Sequence, residues 1–513
     1  MRRTNGTWLL LVAALLSACG DGDDDENTRL TDAASPATTA RPTSSTDAGT
    51  LDGGTRSLDA SVTPLDAGLR EHDKRTFTVD AATLPFQPLP TASTETDRWS
   101  GVLEGAAYRI EVPKNWNGTL VMYAHGFRGQ IPNLTVTNPS IRRRLIEGGY
   151  AWAASSYSAN YYDIRAGVED TNKLALAFKR IASENGRTLD EPTKRYIIGH
   201  SMGGHVTGAA IEAETAQRAK NKVHYDAALP MCGVMGDIEL FNYYASFQAA
   251  SYHYAGVMTP AAPVADFMPV RAQLVSALFT SYPSALTPPG VTFRSVIRNL
   301  TGGARPMFEQ GFGAEASWSS LWTTYNQDGT VNGILTMPIS NTVSVEYQLD
   351  SDPALSAEER TLNQAIKRVD GKPELANPVR SDSLRWVPLI NGEFTIPVLT
   401  LHTLGDLFVP FSMEQFYRRR AESKGNGERL VQRAIRGSGH CEFTVAEQVD
   451  AFDALVRWER EGVKPLGDEV LDRANVANDS YGCAFTRNAT GPDDQPALAT
   501  LRAAAPACPA ATP

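Results

Sequence analysis

Short, largely apolar runs alternate with helix-forming segments along this chain, and that alternation restricts the fold more than any other feature. Gly118-Thr119-Leu120-Val121-Met122-Tyr123-Ala124-His125-Gly126 is an apolar run closed by a glycine turn, the pattern of a strand buried on both faces. Tyr150–Ser155, Arg195–Gly199, Tyr225–Leu229, Ile396–Leu401 and Leu430–Ile435 read as further core strands. Helical patterns stand between and after them: Ser140–Glu147, Asp170–Arg180, an alanine-rich stretch after Ser201, Ser412–Glu422 and Thr444–Arg460. The last carries Ala446, Val449, Phe452, Leu455, Val456 and Trp458, the apolar stripe of an amphipathic helix. Strand alternating with helix predicts an α/β fold with a mostly parallel central sheet. The alternating segment Ala107–Val112 predicts a half-exposed antiparallel strand ahead of it.

The stretch 230–395 is far longer than a connection in such a sheet needs, so a cap is expected within it, at about 234–393. Its aromatic residues (Phe241, Tyr243, Tyr244, Phe247, Tyr252, Tyr254, Trp318, Trp322, Tyr325) either line a cleft or pack the insertion's own core. At the other end of the chain, Arg2 and Arg3 precede the apolar run Trp8–Leu16, the pattern of a secretory signal and too short for a membrane span of about 20 apolar residues. The ending Leu16-Ser17-Ala18-Cys19 resembles the lipobox of bacterial lipoproteins. That resemblance implies a signal at 1–19, lipidation of Cys19, and a mature chain anchored to a membrane of the bacterial cell envelope. Residues 20–76, dominated by Asp, Ala, Thr, Ser, Gly and Pro, hold too few large apolar side chains to offset ordering entropy and read as a disordered tether. The folded domain is expected at 77–465, with an irregular extension at 466–513.

The net charge of -10 argues against nucleic acid as a partner. Besides Cys19 the chain has Cys232, Cys441, Cys483 and Cys508, an even number in an exported protein, so disulfides are expected. Three pairings are open. Cys441 and Cys232 both fall just past core strands, at the same end of the sheet, which favours Cys232–Cys441 with Cys483–Cys508 in the tail. No CxxC or HExxH spacing points to a metal, and no cofactor is implied.

Gly199-His200-Ser201-Met202-Gly203 is a GxSxG pentapeptide set between a strand and a helix-forming run. Such a sharp turn lifts a serine hydroxyl clear of the sheet, and Gly203-Gly204 lets the next helix approach closely. A serine hydroxyl is a poor nucleophile until an imidazole takes its proton, and the imidazole needs a carboxylate to fix its tautomer. Asp406 stands just past the strand Ile396–Leu401, and His440 lies past the last strand, ahead of the last helix. Asp352 and Asp382, inside the insertion, are poorer acids. His125, His200, His205, His224, His253 and His402 are not placed as the base would be, and His72 lies in the tether.

The His125-Gly126 loop, the Gly199–Gly203 elbow, and the Gly405-Asp406 and Gly439-His440 turns come in the order found in α/β-hydrolases, which the chain resembles from about Arg109 to Trp458. The resemblance implies a serine hydrolase with Ser201 as nucleophile, His440 as general base and then acid, and Asp406 as its orienter. Backbone N–H groups of Met202 and Phe127 would form the oxyanion hole. Tannase-like and feruloyl-esterase-like members place a cysteine immediately before the serine. Here His200 stands there, so that subfamily is not indicated. The expected activity is cleavage of small-molecule or polymeric carboxylic esters through an acyl-enzyme. A serine peptidase or amidase remains open on the same motifs, as does a surface binding lipoprotein without activity.

Overall fold

The computed structural model describes residues 75–257, 268–314, 321–322, 334–335, 339–381 and 383–509. Cys19, the signal, the tether up to residue 74, Trp318, Tyr325 and Asp382 lie outside the described residues. At the centre is an eight-stranded sheet. In chain order its strands are β1 (Thr96–Leu103), β2 (Ala106–Pro113), β3 (Thr119–Ala124), β4 (Ala151–Ser155), β5 (Lys194–His200), β6 (Ala227–Met231), β7 (Val398–Thr403) and β8 (Leu430–Ile435). Side by side they run β8-β7-β6-β5-β3-β4-β2-β1. The strands from β3 to β8 pair in parallel, and the β1–β2 hairpin joins antiparallel through β2 against β4. A mostly parallel sheet in this order, flanked by helices, is the α/β-hydrolase fold.

Strand period explains how one sheet serves two cores. Along β3, Leu120, Met122 and Ala124 enter one apolar layer while Val121 and Tyr123 enter the other. The helices include α1 (Arg142–Glu147), α2 (Ile164–Glu184), α3 (Met202–Ala210), α4 (Glu239–Ala255), α5 (Pro288–Leu300), α6 (Ala357–Ala365), α7 (Ser412–Ser423), α8 (Val445–Glu461) and α9 (Pro496–Ala504), with others between them such as Met268–Leu278. Side chains of α2, α3 and α7 fill the first layer, and those of α1 and α8 the second. Thr444 and Glu447 form a capping box at the start of α8, and Gly462, in the left-handed region, ends it. Helix α2 begins earlier than its periodicity suggests, because Asp163 accepts the Ala166 N–H and the first turns already bury Ile164 and Val168.

The segment between β6 and β7 is largely helical, carrying α4, α5 and α6. Phe247, Phe293 and Trp322 within it join the same apolar layer as α2 and α3, so the insertion shares its core with the sheet. Its return is pinned by Glu212, whose carboxylate accepts the Gly392 and Glu393 N–H groups. Burial pushes that carboxyl up to about 7.

Residues after α8 follow the free edge of β8. The Asp468 N–H donates to Gln432 O, its carboxylate accepts the Ala434 N–H, and Thr486 Oγ1 accepts the Arg436 N–H. An exposed edge is thereby covered. Two helices, Arg473–Val476 and α9, stand where the composition suggested only irregular chain. Both disulfides join the cysteines that placement favoured, Cys232–Cys441 and Cys483–Cys508.

One buried charge cluster ties the hairpin to the sheet. The fully buried Glu111 accepts from Arg142 Nε at 2.6 Å, Trp152 Nε1 at 2.9 Å and Thr96 Oγ1 at 2.8 Å. Removing the carboxylate strands a buried guanidinium, so Glu111→Leu should cost about 3–5 kcal/mol in urea unfolding. Arg142→Met placed on top should recover part of that loss; a double-variant loss equal to the sum of the Glu111→Leu and Arg142→Met losses would show that the pair is not coupled.

Candidate active site

β5 and α3 meet at Ser201 with almost no connecting chain. Its backbone sits at φ 56° and ψ -122°, outside the regions that L-residues favour, at a cost of about 1–3 kcal/mol. The Ser201 N–H is held by Met231 O at 3.0 Å. Gly203 must be glycine, because a Cβ there would lie 2.0 Å from Ala124 O. That approach presses the start of α3 against the end of β3 and sets Met202 beside the His125-Gly126-Phe127 loop.

Two other turns converge on the hydroxyl. His440 Nε2 lies 2.7 Å from Ser201 Oγ, and His440 Nδ1 lies 2.6 Å from Asp406 Oδ2. The second carboxylate oxygen of Asp406 accepts the Phe408 and Val409 N–H groups, both at 2.9 Å, so its orientation is fixed by its own turn. With Asp406 fully buried and Ser201 5% exposed, the relay is shielded from competing water, while His440 retains partial access. Gly405 lets this turn pack backbone to backbone on Ser438, where a Cβ would come within 2.6 Å of Ser438 Cα. Asp352, the other described acid considered, is exposed and accepts the Ala354 N–H.

Cys441 follows His440, and its bond to Cys232 ties the histidine turn to the end of β6. The Cys232, His440 and Cys441 ligand atoms cluster closely, but two sulfurs bonded to one another offer no thiolate to a metal ion.

Beside Ser201 opens a recess lined by Phe127, Tyr162, Met202, Leu240, Phe241 and Tyr244 with Val234, Phe408 and Val409. The tyrosine hydroxyls are engaged elsewhere: Tyr162 donates to His205 Nδ1 and Tyr244 to Phe408 O. Rings rather than polar atoms therefore face the space. Of the insertion's aromatic residues, Phe241 and Tyr244 line this recess, whereas Phe247 and Trp322 pack against one another.

Three histidines near the site are held neutral. Burial pushes His125, His200 and His205 each down to about 4. Their partners fit single tautomers: His200 Nε2–H donates to Gln448 Oε1, and His205 Nε2–H donates to Pro388 O while Nδ1 accepts from Tyr162. His402 behaves oppositely. Burial works against its charge, but the adjacent Glu414 carboxylate outweighs it and raises the pKa. Its Nε2–H donates to Val409 O at 2.8 Å and so braces the Asp406 turn, a role its position in the sequence did not reveal.

Comparison with known proteins gives partial likeness. No family model matches the chain. Over 66 residues the chain is 32% identical to the o-phthalyl amidase of Xanthobacter agilis, a match spanning 13% of this chain and 15% of that protein. Among solved structures, feruloyl esterase B from Aspergillus oryzae aligns with a TM-score of 0.44 at 14% identity, covering 76% of this chain and 86% of that one. An esterase from Aspergillus oryzae aligns with a TM-score of 0.40 at 12% identity, over 72% and 80% of the two chains. The acylaminoacyl peptidase of Pyrococcus horikoshii aligns at 0.35 and 9% identity, over 74% of this chain and 44% of that one.

Gly203→Ala should destabilise the protein by about 3 kcal/mol or more, because a backbone carbonyl cannot yield as a side chain can; a Tm unchanged within 2 °C would contradict that packing. A buried neutral histidine also carries a pH signature. Between pH 6.5 and about 4 the unfolded chain takes up a proton at His205 that the folded chain refuses, so that contribution is lost as pH falls through this window. Relative to His205→Gln, the parent should lose about 2.5 kcal/mol of unfolding free energy between pH 7 and pH 4.5; a constant difference would show that His205 is charged in the fold.

Proposed function

We propose that the chain is an exported serine hydrolase that cleaves carboxylic esters through an acyl-enzyme. The observation that carries this reading is the unbroken relay from Ser201 Oγ through His440 to Asp406, opening on an apolar recess. In the proposed reaction His440 Nε2 takes the Ser201 proton as the hydroxyl oxygen attacks the ester carbonyl. Backbone N–H groups of Phe127 and Met202 hold the developing oxyanion, an arrangement in which one donor is typically worth about 3 kcal/mol of barrier. His440 then protonates the departing alcohol, and water attacks the acyl-serine by the same route in reverse. The apolar lining supports an uncharged, apolar group next to the scissile carbonyl. Lipidation of Cys19 would hold the enzyme at a membrane of the cell envelope, which membrane labelling of the wild type but not of Cys19→Ala would test.

A serine amidase or peptidase is the second reading, favoured by the short segment shared with the o-phthalyl amidase. A panel of p-nitrophenyl esters and amino-acid anilides, given to the soluble chain lacking residues 1–19, separates the two. Ester turnover should exceed anilide turnover, and Ser201→Ala should abolish it. Preferential anilide turnover would promote the amidase, and turnover that survives Ser201→Ala would overturn both. Asp406→Asn should lower kcat by about 10⁴-fold through the wrong histidine tautomer, whereas Asp352→Asn, at an exposed carboxylate engaged with its own turn, should leave it unchanged; equal effects would displace Asp406 from the role.

A further inference from the structure

We propose that Arg502, supplied by the C-terminal segment, is a positioning residue for His440, so that this segment is a working part of the active site; the inference rests on the hydrolase reading above. Arg502 lies in α9 and is 2% exposed. Its guanidinium reaches both ends of the turn that bears His440. One nitrogen donates to Arg436 O at 3.3 Å, just before the turn, and another donates to Glu442 O, just after His440 and Cys441. The second nitrogen also donates to Glu447 Oε2 at 2.9 Å, in the capping box of α8.

The turn between these two carbonyls is organised by Glu442, whose side chain is held beside the same guanidinium at 3.5 Å. Its Oε2 accepts the Ser438 N–H at 3.0 Å, the Ser438 hydroxyl at 2.8 Å and the Gly439 N–H at 2.8 Å. The residues leading into His440 thus hang from a carboxylate whose counter-charge is Arg502. A planar cation with several diverging donors can serve two carbonyls and the Glu447 carboxylate at once while lying beside the Glu442 carboxylate. A lysine would keep the charge and lose the fork.

The clamp is itself fixed. The Cys483–Cys508 disulfide closes a ring containing α9, with a sequence separation of 25, and Arg436 Nη1 donates to Asp479 O and Tyr481 O within that ring's approach. Cys232–Cys441 holds the other flank of the turn. The two disulfides and Arg502 therefore act around one short piece of chain, which presents His440 to Ser201 and Asp406. Slackening it should move His440 Nε2 away from Ser201 Oγ without altering the recess that receives substrate, since no residue lining the recess belongs to this turn. A misplacement of about 1 Å typically costs on the order of 100-fold in rate.

The test compares Arg502→Lys, Arg502→Met and the pair Cys483→Ser/Cys508→Ser with the wild type, each assayed below its own Tm. Two readouts apply: ester kinetics, and the second-order rate of Ser201 labelling by a fluorophosphonate, which needs the histidine base and no ester. Expected are a KM within about twofold, a kcat and a labelling rate lowered about 10–100-fold in Arg502→Met, and a smaller loss in Arg502→Lys. The cysteine pair should show a loss of the same kind, and it decides the matter alone if the arginine variants do not fold. Variants that fold and label at the wild-type rate overturn the proposal, as does a loss carried by KM alone. A wild type whose Ser201 does not label overturns the hydrolase reading and this inference with it.

Discussion

At Ser201 the backbone leaves β5 and enters α3 at φ 56°, and the structure around it is arranged to hold that unfavourable turn. The hydrogen bond from its N–H to Met231 O fixes one side, and the backbone contact of Gly203 with Ala124 fixes the other. A parallel sheet makes this possible because adjacent strands end at the same edge, so that the ends of β3, β5 and β6 support one another. Strain of a kcal/mol or more survives only where surrounding packing over-determines it. Here the return is a hydroxyl raised above the sheet, beside the start of a helix whose N–H groups point toward incoming negative charge.

The other two members of the relay arrive by a different principle. Neither Asp406 nor His440 has a positive φ; Asp406 is held by hydrogen bonds within its own turn, and His440 by a turn that other residues organise. Asp406 is oriented by the Phe408 and Val409 N–H groups, with His402 behind them. The turn carrying His440 is organised by Glu442 and Arg502 and tethered by Cys441. The carboxylate is buried and the imidazole keeps partial access, so in the proposed reaction Asp406 would stabilise the imidazolium as His440 takes the serine's proton. Stability and chemistry share residues here, since Glu447 caps α8 and also receives Arg502.

Much of this was legible in the sequence because the fold's logic is local in kind. Runs such as Leu120–Tyr123 read as buried strands since a parallel strand has no polar face to break the pattern. Ser201, Asp406 and His440 stood out since each follows such a run, and the sheet brings those ends together. Cys232 and Cys441 could be paired for the same reason. Arg502 could not be seen, because a lone arginine in an alanine-rich tail reads as solvated until its carboxylate partners are placed around it. Nor did the aromatic content of the insertion say which rings face the recess: Phe241 and Phe247 lie on one helix, but of the two the former lines it. The early start of α2 was hidden since its first turns mix buried Ile164 and Val168 with Arg165 and Glu169.

In the proposed reaction Ser201 forms a covalent bond to the acyl group, and intact-mass analysis of the soluble chain quenched in acid during turnover of a p-nitrophenyl ester would trap that bond. One acyl adduct per chain is expected, mapped to the tryptic peptide 196–218, absent from Ser201→Ala and prolonged when deacylation is slowed. An adduct on any other peptide, or ester turnover with no adduct and an unimpaired Ser201→Ala, would contradict it.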